Sequence, residues 1–381
     1  MKGYVEKRGT TYRYRIQFTP DEALKIGKTS ISKSGFAKEK QAKAEMRKVM
    51  TELDNDTFVV EQKLTLRQYL DQWLNHYEQN VAPSTIKRYR ELATNICDIL
   101  GNKEIQKITP FEVQMAYDTL LNVNQDEDED ALSPNTVIKV HRVLKMALRQ
   151  ARIWGIIKFN PCDDIKPPRY VRPNISCWTE EELISFMRAY REGQFYLQCA
   201  IAVGTGMRLG EICGLKWDCI DLKDGLIYVR KSLRRIKKQW LLKAPKTKSS
   251  IRTIAIADDL KDILLLHKKR QEKLIKENDK YIDQGFVCAW EDDGRPYNPD
   301  YISKHFHLQL IELANVPTIR FHDIRHTHAT ILLKKQTPIK VVSERLGHAS
   351  ISITLDFYAH VLPNMQKEAA QAINGLLSQA K

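Results

Sequence analysis

The sequence predicts a multidomain protein, mainly α-helical with small β-sheets: a basic sheet with a covering helix, then a helical domain, then a larger α+β domain. Three observations carry that reading. At 381 residues the chain is longer than one core ordinarily organises, at roughly 100–200 residues per domain. Alternation of apolar residues with a period of two is confined to two short regions, while helical periodicity governs the rest. The segment KPPRYVRPN at 166–174 breaks the helical pattern with three prolines, each of which disfavours helix at itself and at the residue before it.

In order along the chain, Tyr12, Tyr14, Ile16 and Phe18 alternate with Arg13, Arg15 and Gln17, the pattern of a half-buried strand with a basic outer face. Lys7 to Thr10 reads as a hairpin turn from an earlier strand near Tyr4 and Val5. A third strand near Ser30 to Ser32 and a helix from Ala37 to about Leu53 complete a first domain over 1–60, which holds 13 basic and 8 acidic residues. A β-sheet can carry such a face into a DNA groove, and a solvated strand surface explains it equally well. Helices are expected near 66–79, 84–99, 110–121 and 134–154, with starts marked by Thr65, Ser84, Thr109 before Pro110, and Ser133 before Pro134, and the last ended by Gly155. They define a second domain, 61–165, interrupted by the acidic run QDEDED at 125–130, read as a solvated loop. After the linker, Thr179 and Glu182 form a capping box that opens the third domain, 175–381, with one β-rich stretch from Leu226 to Ile256.

Lysine and arginine number 61 against 47 acidic residues, a formal charge of +14 that suits a polyanionic partner. The seven cysteines are scattered and include no Cys-x-x-Cys pair, so neither a disulfide framework nor a zinc ribbon is indicated. The amino terminus lacks an apolar signal core, and there is no run of about 18 apolar residues. A cytoplasmic protein with no membrane partner is expected.

Four patches of the third domain set a cation or polarisable donor beside a glycine turn or helix start. In GTGMRLGEICGL, 204–215, Arg208 follows a glycine turn and Glu211 lies behind it. In RFHDIRHTHAT, 320–330, His322 and Arg325 are three apart and share a helix face. In LGHASISITLDFYAHV, 346–361, His348 follows a glycine and Tyr358 comes ten residues later. The fourth is basic and β-rich: Arg230, Lys231, Arg234, Arg235, Lys237 and Lys238, followed by Lys243, Lys246, Lys248 and Arg252. Any of these alone is more often structural; as phosphate contacts, the basic strand residues would add affinity without sequence information.

Together these residue types suit transesterification of a phosphodiester. Two arginines can fork onto the non-bridging oxygens as charge builds in the transition state. A tyrosine of pKa about 10 is phenolate in roughly one molecule per thousand at neutral pH, so it needs nearby cations or a base, for which His322 and His348 are the candidates. Lys246, in the turn APKTKSS, is the candidate to protonate the departing 5′ oxygen. No cofactor is called for.

These motifs closely resemble those of the tyrosine recombinases, the phage-type integrases. That family's order of Arg, Lys, His-x-x-Arg, His or Trp, and Tyr is met by Arg208, Lys246, His322 with Arg325, His348 and Tyr358, with Lys248 as the other claimant to the lysine's place. The resemblance implies an arm-type DNA-binding domain, a helical SAM-like core-binding domain and a catalytic domain. It also implies double-stranded attachment sites as partner, a homo-tetramer, exchange through a Holliday junction, and a covalent 3′-phosphotyrosyl intermediate. A mobile-element integrase would act with an excisionase and a host DNA-bending protein. Residues 362–381 could dock on a neighbouring subunit or pack in cis. Three rivals remain: a metal site on His322 and His326 with Asp323 as base, a non-enzymatic DNA-binding regulator, and, within the family, a chromosome-dimer resolving recombinase. The basic amino-terminal sheet favours the integrase.

Overall fold

The computed structural model describes residues 1–55, 58–122, 131–171, 176–236, 239–243, 251–313 and 316–358, together with 371 and 374. The chain forms two compact units, Met1–Arg172 and Pro173–Lys381.

The first unit begins with an antiparallel sheet of β1 (Lys2–Arg8), β2 (Thr11–Gln17) and β3 (Ser30–Phe36), with β2 in the centre. Gly9 turns the hairpin at φ 59°, a conformation open to a residue without Cβ. The β1–β2 register sets Glu6 opposite Arg13 and Val5 opposite Tyr14, so Tyr14 and Ile16 point inward against Val49 of α2 (Glu39–Asp54). A short helix not expected from the sequence, α1 (Pro20–Ile26), fills the β2–β3 connection. Thr19 and Glu22 cap it reciprocally and Gly27 ends it.

Four helices, α3 (Leu66–Tyr77), α4 (Pro83–Leu100), α5 (Pro110–Asn122) and α6 (Pro134–Ile153), enclose a separate apolar core. Thr65 and Ser133 cap α3 and α6 with their side chains. The start of α4 differs from expectation: Ala82 is the N-cap and Pro83 the first helical residue, so Ser84 lies inside the first turn. Proline suits that position because its preset φ is helical and the N–H it lacks would have no helix partner. Trp73 stacks on Tyr77 and Tyr89 in this core, and the Tyr69 hydroxyl donates to the Ala147 carbonyl at 2.6 Å. Val171 is tied back to α6 by two hydrogen bonds with the Asn135 side chain. The acidic run 125–130 lies outside the described residues.

In the second unit, the Thr179–Glu182 capping box starts α7 (Glu180–Ala189). The central helix, α8 (Tyr196–Thr205), is buried along most of its length. After it come α9 (Leu209–Cys213) and five short strands: β4 (Ile220–Asp221), β5 (Leu226–Val229), β6 (Ser232–Ile236), β7 (Gln239–Lys243) and β8 (Arg252–Ala255). They form two antiparallel sheets, β4-β5-β8 and β6-β7. Then follow α10 (Asp258–Glu277), α11 (Pro299–Leu313), α12 (Phe321–Lys334), α13 (Ile339–Leu346) and α14 (Ile351–Tyr358). Aromatic contacts run from Trp178 through Phe186 and Phe306 to Phe321; they lock α12 into the core and thereby fix whatever that helix carries. Among the described residues no helix is long and apolar enough to cross a membrane, and all seven cysteines are unpaired thiols.

Trp73→Ala is expected to destabilise the helical core by about 3–5 kcal/mol, the range for emptying a large buried aromatic site. Urea unfolding followed by the remaining tryptophan fluorescence and far-UV circular dichroism measures it; a loss under about 1 kcal/mol would mean the core collapses into the space.

Candidate active site

The last carbonyls of a helix have no partner within it, and the negative end of the helix dipole favours cations there. In α13 this vacancy is filled in an unusual way. Gly347 ends the helix at φ 67° and the His348 N–H bonds back to the Ser343 carbonyl, leaving three successive carbonyls facing arginines from three different segments. Arg345 O accepts from Arg252 Nε at 2.7 Å, Leu346 O from Arg325 Nη2 at 2.7 Å, and Gly347 O from Arg208 Nη2 at 3.2 Å. Arg208 and Arg325, far apart in sequence, therefore meet on neighbouring peptide units immediately before His348.

The end of α8 is held in the same manner. Gly206 O accepts from Arg325 Nη1 at 2.7 Å, Gly204 O from Arg345 Nη2 at 2.6 Å, and Val203 O from His328 Nδ1 at 2.6 Å. With Nδ1 donating, His328 Nε2 is left to accept from Arg345 Nε at 3.2 Å. Arg325 thus joins the ends of two helices. Gly206 itself sits at φ 66°, and a Cβ there would fall 2.7 Å from His328 and 2.8 Å from Leu346.

Arg208 stands at the N-cap of α9, where Glu211 accepts from its backbone N–H at 3.0 Å and from Nη1 at 2.9 Å. Oε1 takes the Arg208 Nη1 bond, and Oε2, which accepts the backbone N–H, also pairs with Arg252 at 2.9 Å. Burial by itself would push the Glu211 carboxyl up, but the hydrogen bond and charge of Arg252, with Arg208 behind them, hold it below its ordinary value. The two phosphate-binding candidates differ in access: the Arg208 side chain is 37% exposed, while Arg325 is 3% exposed.

Cations and burial keep the surrounding histidines neutral. His348 is pulled down to about 3 by burial, then by Arg325 and Arg208; its Nδ1 lies 2.8 Å from the hydroxyl of buried Thr354. His326 falls to about 4, through burial and His322. His322 is lowered by desolvation of its ring and then by the charge of Arg325. A neutral imidazole at pH 7 can take a proton, which imidazolium cannot.

Tyr358 is the last residue of α14, and its side chain lies outside the described residues. So do Lys246, Lys248, Lys237, Lys238 and, apart from 371 and 374, the residues of the segment 362–381. Arg230, Lys231, Arg234 and Arg235 are exposed; Arg230 lies over Tyr228 and Arg235 over Trp240. In the first unit, Arg13 donates to Ser32 and Arg15 to Ser30 across the outer sheet face. In the metal reading Asp323 would be the base, but Arg320 engages both of its oxygens. Sequence reasoning passed over His328 and Arg345, and saw Arg252 only as one member of a basic run.

The histidines make stability pH-dependent. Folded values of about 4, 4 and 3 for His326, His328 and His348 lie below the ordinary 6.5, so the unfolded chain takes up more protons between them. Stability of this unit is expected to fall as pH drops from about 6.5 toward 4. The lowered Glu211 carboxyl continues the loss in the same direction at lower pH. Thermal unfolding of the full chain across this range checks it; a flat profile would contradict the assigned neutral state.

Comparison with known proteins completes the picture. Residues 178–365 match the phage integrase family and residues 65–121 match the N-terminal SAM-like domain of phage integrases. The ICEBs1 integrase of Bacillus subtilis is 31% identical over 74% of this chain and 75% of its own. A XerC-like tyrosine recombinase of Caldanaerobacter subterraneus is 29% identical over 98% of both chains. The Tn1549 transposon integrase, solved with circular-intermediate DNA, shares the fold with a TM-score of 0.65 at 23% identity, over 81% of this chain and 99% of that one. Taken with the arginines gathered at the end of α13, these likenesses settle the family: the chain belongs to the phage integrases, the tyrosine recombinases, and is a site-specific integrase.

Proposed function

We propose that Tyr358 is the nucleophile and that Arg208, Arg325, His322, His348 and Lys246 assist it in cutting and rejoining DNA at the attachment sites of a mobile element. The phenol oxygen attacks the scissile phosphorus, the bond to the 5′ oxygen breaks, and a 3′-phosphotyrosyl ester forms. His322 or His348 takes the phenol proton, and Lys246, or Lys248 in its place, protonates the departing oxygen. Arg208 and Arg325 balance the charge that grows on the non-bridging oxygens. One ester replaces another, so the reverse attack by a 5′ hydroxyl from a second duplex reseals the strand without an added energy source.

The observation that carries this reading is the meeting of Arg208 and Arg325 on the carbonyls of residues 346 and 347, beside a neutral His348. Recombining two duplexes requires four strand cleavages, and each chain offers one Tyr358, so a homo-tetramer on DNA is the working assembly. Arg13 and Arg15 of the first unit would contact arm-type sites, and the exposed Arg230, Lys231, Arg234 and Arg235, with Lys237 and Lys238, would grip phosphates near the crossover. An excisionase and a host DNA-bending protein would set direction, in the cytoplasm at the nucleoid.

Incubation with a nicked attachment-site duplex should trap a denaturant-resistant protein–DNA adduct. Tyr358→Phe is expected to abolish the adduct while DNA binding persists; an adduct formed by Tyr358→Phe would remove Tyr358 from the role.

A further inference from the structure

Arg252 has no part in the chemistry described above, yet it touches the turn after α13 and the carboxylate that holds Arg208. Its Nε holds the Arg345 carbonyl and its Nη2 holds Glu211. Its guanidinium also lies against the turn: a Cβ on Gly347 would come within 3.0 Å of Arg252 Nη1 and 3.3 Å of Cζ. The side chain is only 6% exposed. It begins β8, where it pairs with Val229, directly after the segment that contains Lys246. A guanidinium so enclosed is poorly placed to meet a DNA phosphate. Its effect must pass through its neighbours.

We propose that Arg252 is a positioning residue that keeps Glu211 from chelating Arg208. Carboxylate and guanidinium prefer a two-pronged pairing, and Glu211 lies close enough to Arg208 to adopt one. At present it does not: Oε1 takes Arg208 Nη1, and Oε2 is occupied by Arg252 and the Arg208 backbone N–H. Arg208 is thereby left with one edge on Glu211 and the Nη2 corner turned to Gly347 O. Without Arg252 the second carboxylate oxygen would swing to Arg208 and draw the guanidinium back from the turn and from the phosphate it serves. Arg252 also pins the carbonyl two residues before Gly347, so the turn and Arg208 are adjusted by one group.

The proposal rests on the reading of Arg208 as a phosphate ligand, and a double-mutant cycle separates the two. Single-turnover cleavage of the nicked attachment-site duplex is measured for the full-length protein, Arg252→Lys, Arg208→Lys and the double variant, with DNA affinity and thermal midpoint alongside. Lysine keeps the charge but not the planar fork. Arg252→Lys is expected to cut the cleavage rate about 10- to 100-fold, as small misplacements of a catalytic group do, with affinity and thermal midpoint little changed. In the Arg208→Lys background the same substitution should cost nothing further. An equal loss in both backgrounds overturns the proposal and leaves Arg208 in its role; a wild-type rate for Arg208→Lys alone overturns both. Collapse of the thermal midpoint in Arg252→Lys and in Arg252→Gln also overturns it, since the residue would then be holding the fold together.

Discussion

Everything in the catalytic unit turns on how the carbonyl end of α13 is satisfied. A helix end buried without hydrogen-bond partners is costly, and water is the usual remedy at a surface. Here arginines take that place, from the turn before α9, from the start of β8 and from the middle of α12. One local requirement for three donors therefore recruits three distant segments to a single point. The gathering of positive charge there is a consequence of backbone chemistry as well as a fit for the phosphate proposed to bind it.

Such a gathering is self-repelling, and its stability depends on what lies between the cations. Glu211, 3% exposed, supplies the one carboxylate shared by Arg208 and Arg252. Carbonyl dipoles of α8 and α13 add to that compensation. The Arg345 pKa is correspondingly lowered by burial and by the charge of Arg252. The neutral histidines belong to the same balance: a protonated His348 would add another cation to the field of Arg325, Arg208 and Arg252. The site is thus preorganised for an anion before one arrives, the condition under which electrostatic stabilisation costs no reorganisation at the moment of reaction.

Much of this was legible from residues alone, and the exceptions have a common cause. Arg208, Glu211, His322, Arg325 and His348 announce themselves through short words around glycine turns and helix starts. Arg252, His328 and Arg345 do not, because their partners are mostly backbone carbonyls, and a carbonyl has no letter in a sequence. In the first unit, α1 escaped for a related reason. Leu24 is 88% exposed, so the helix buries too little for periodicity to reveal it, and only the Thr19–Glu22 cap marks its start. Ser84 was mistaken for a cap because serine is the commoner one, while Pro83 had already begun the helix.

The most direct test is a structure of the protein on a cleaved attachment site with orthovanadate joining Tyr358 to the free DNA ends, a mimic of the five-coordinate phosphorus. The account predicts that N–H groups of Arg208 and of Arg325 both lie within about 3.2 Å of the equatorial oxygens, with the α13 turn intact beside them. Vanadate bound with either arginine directed elsewhere would contradict it.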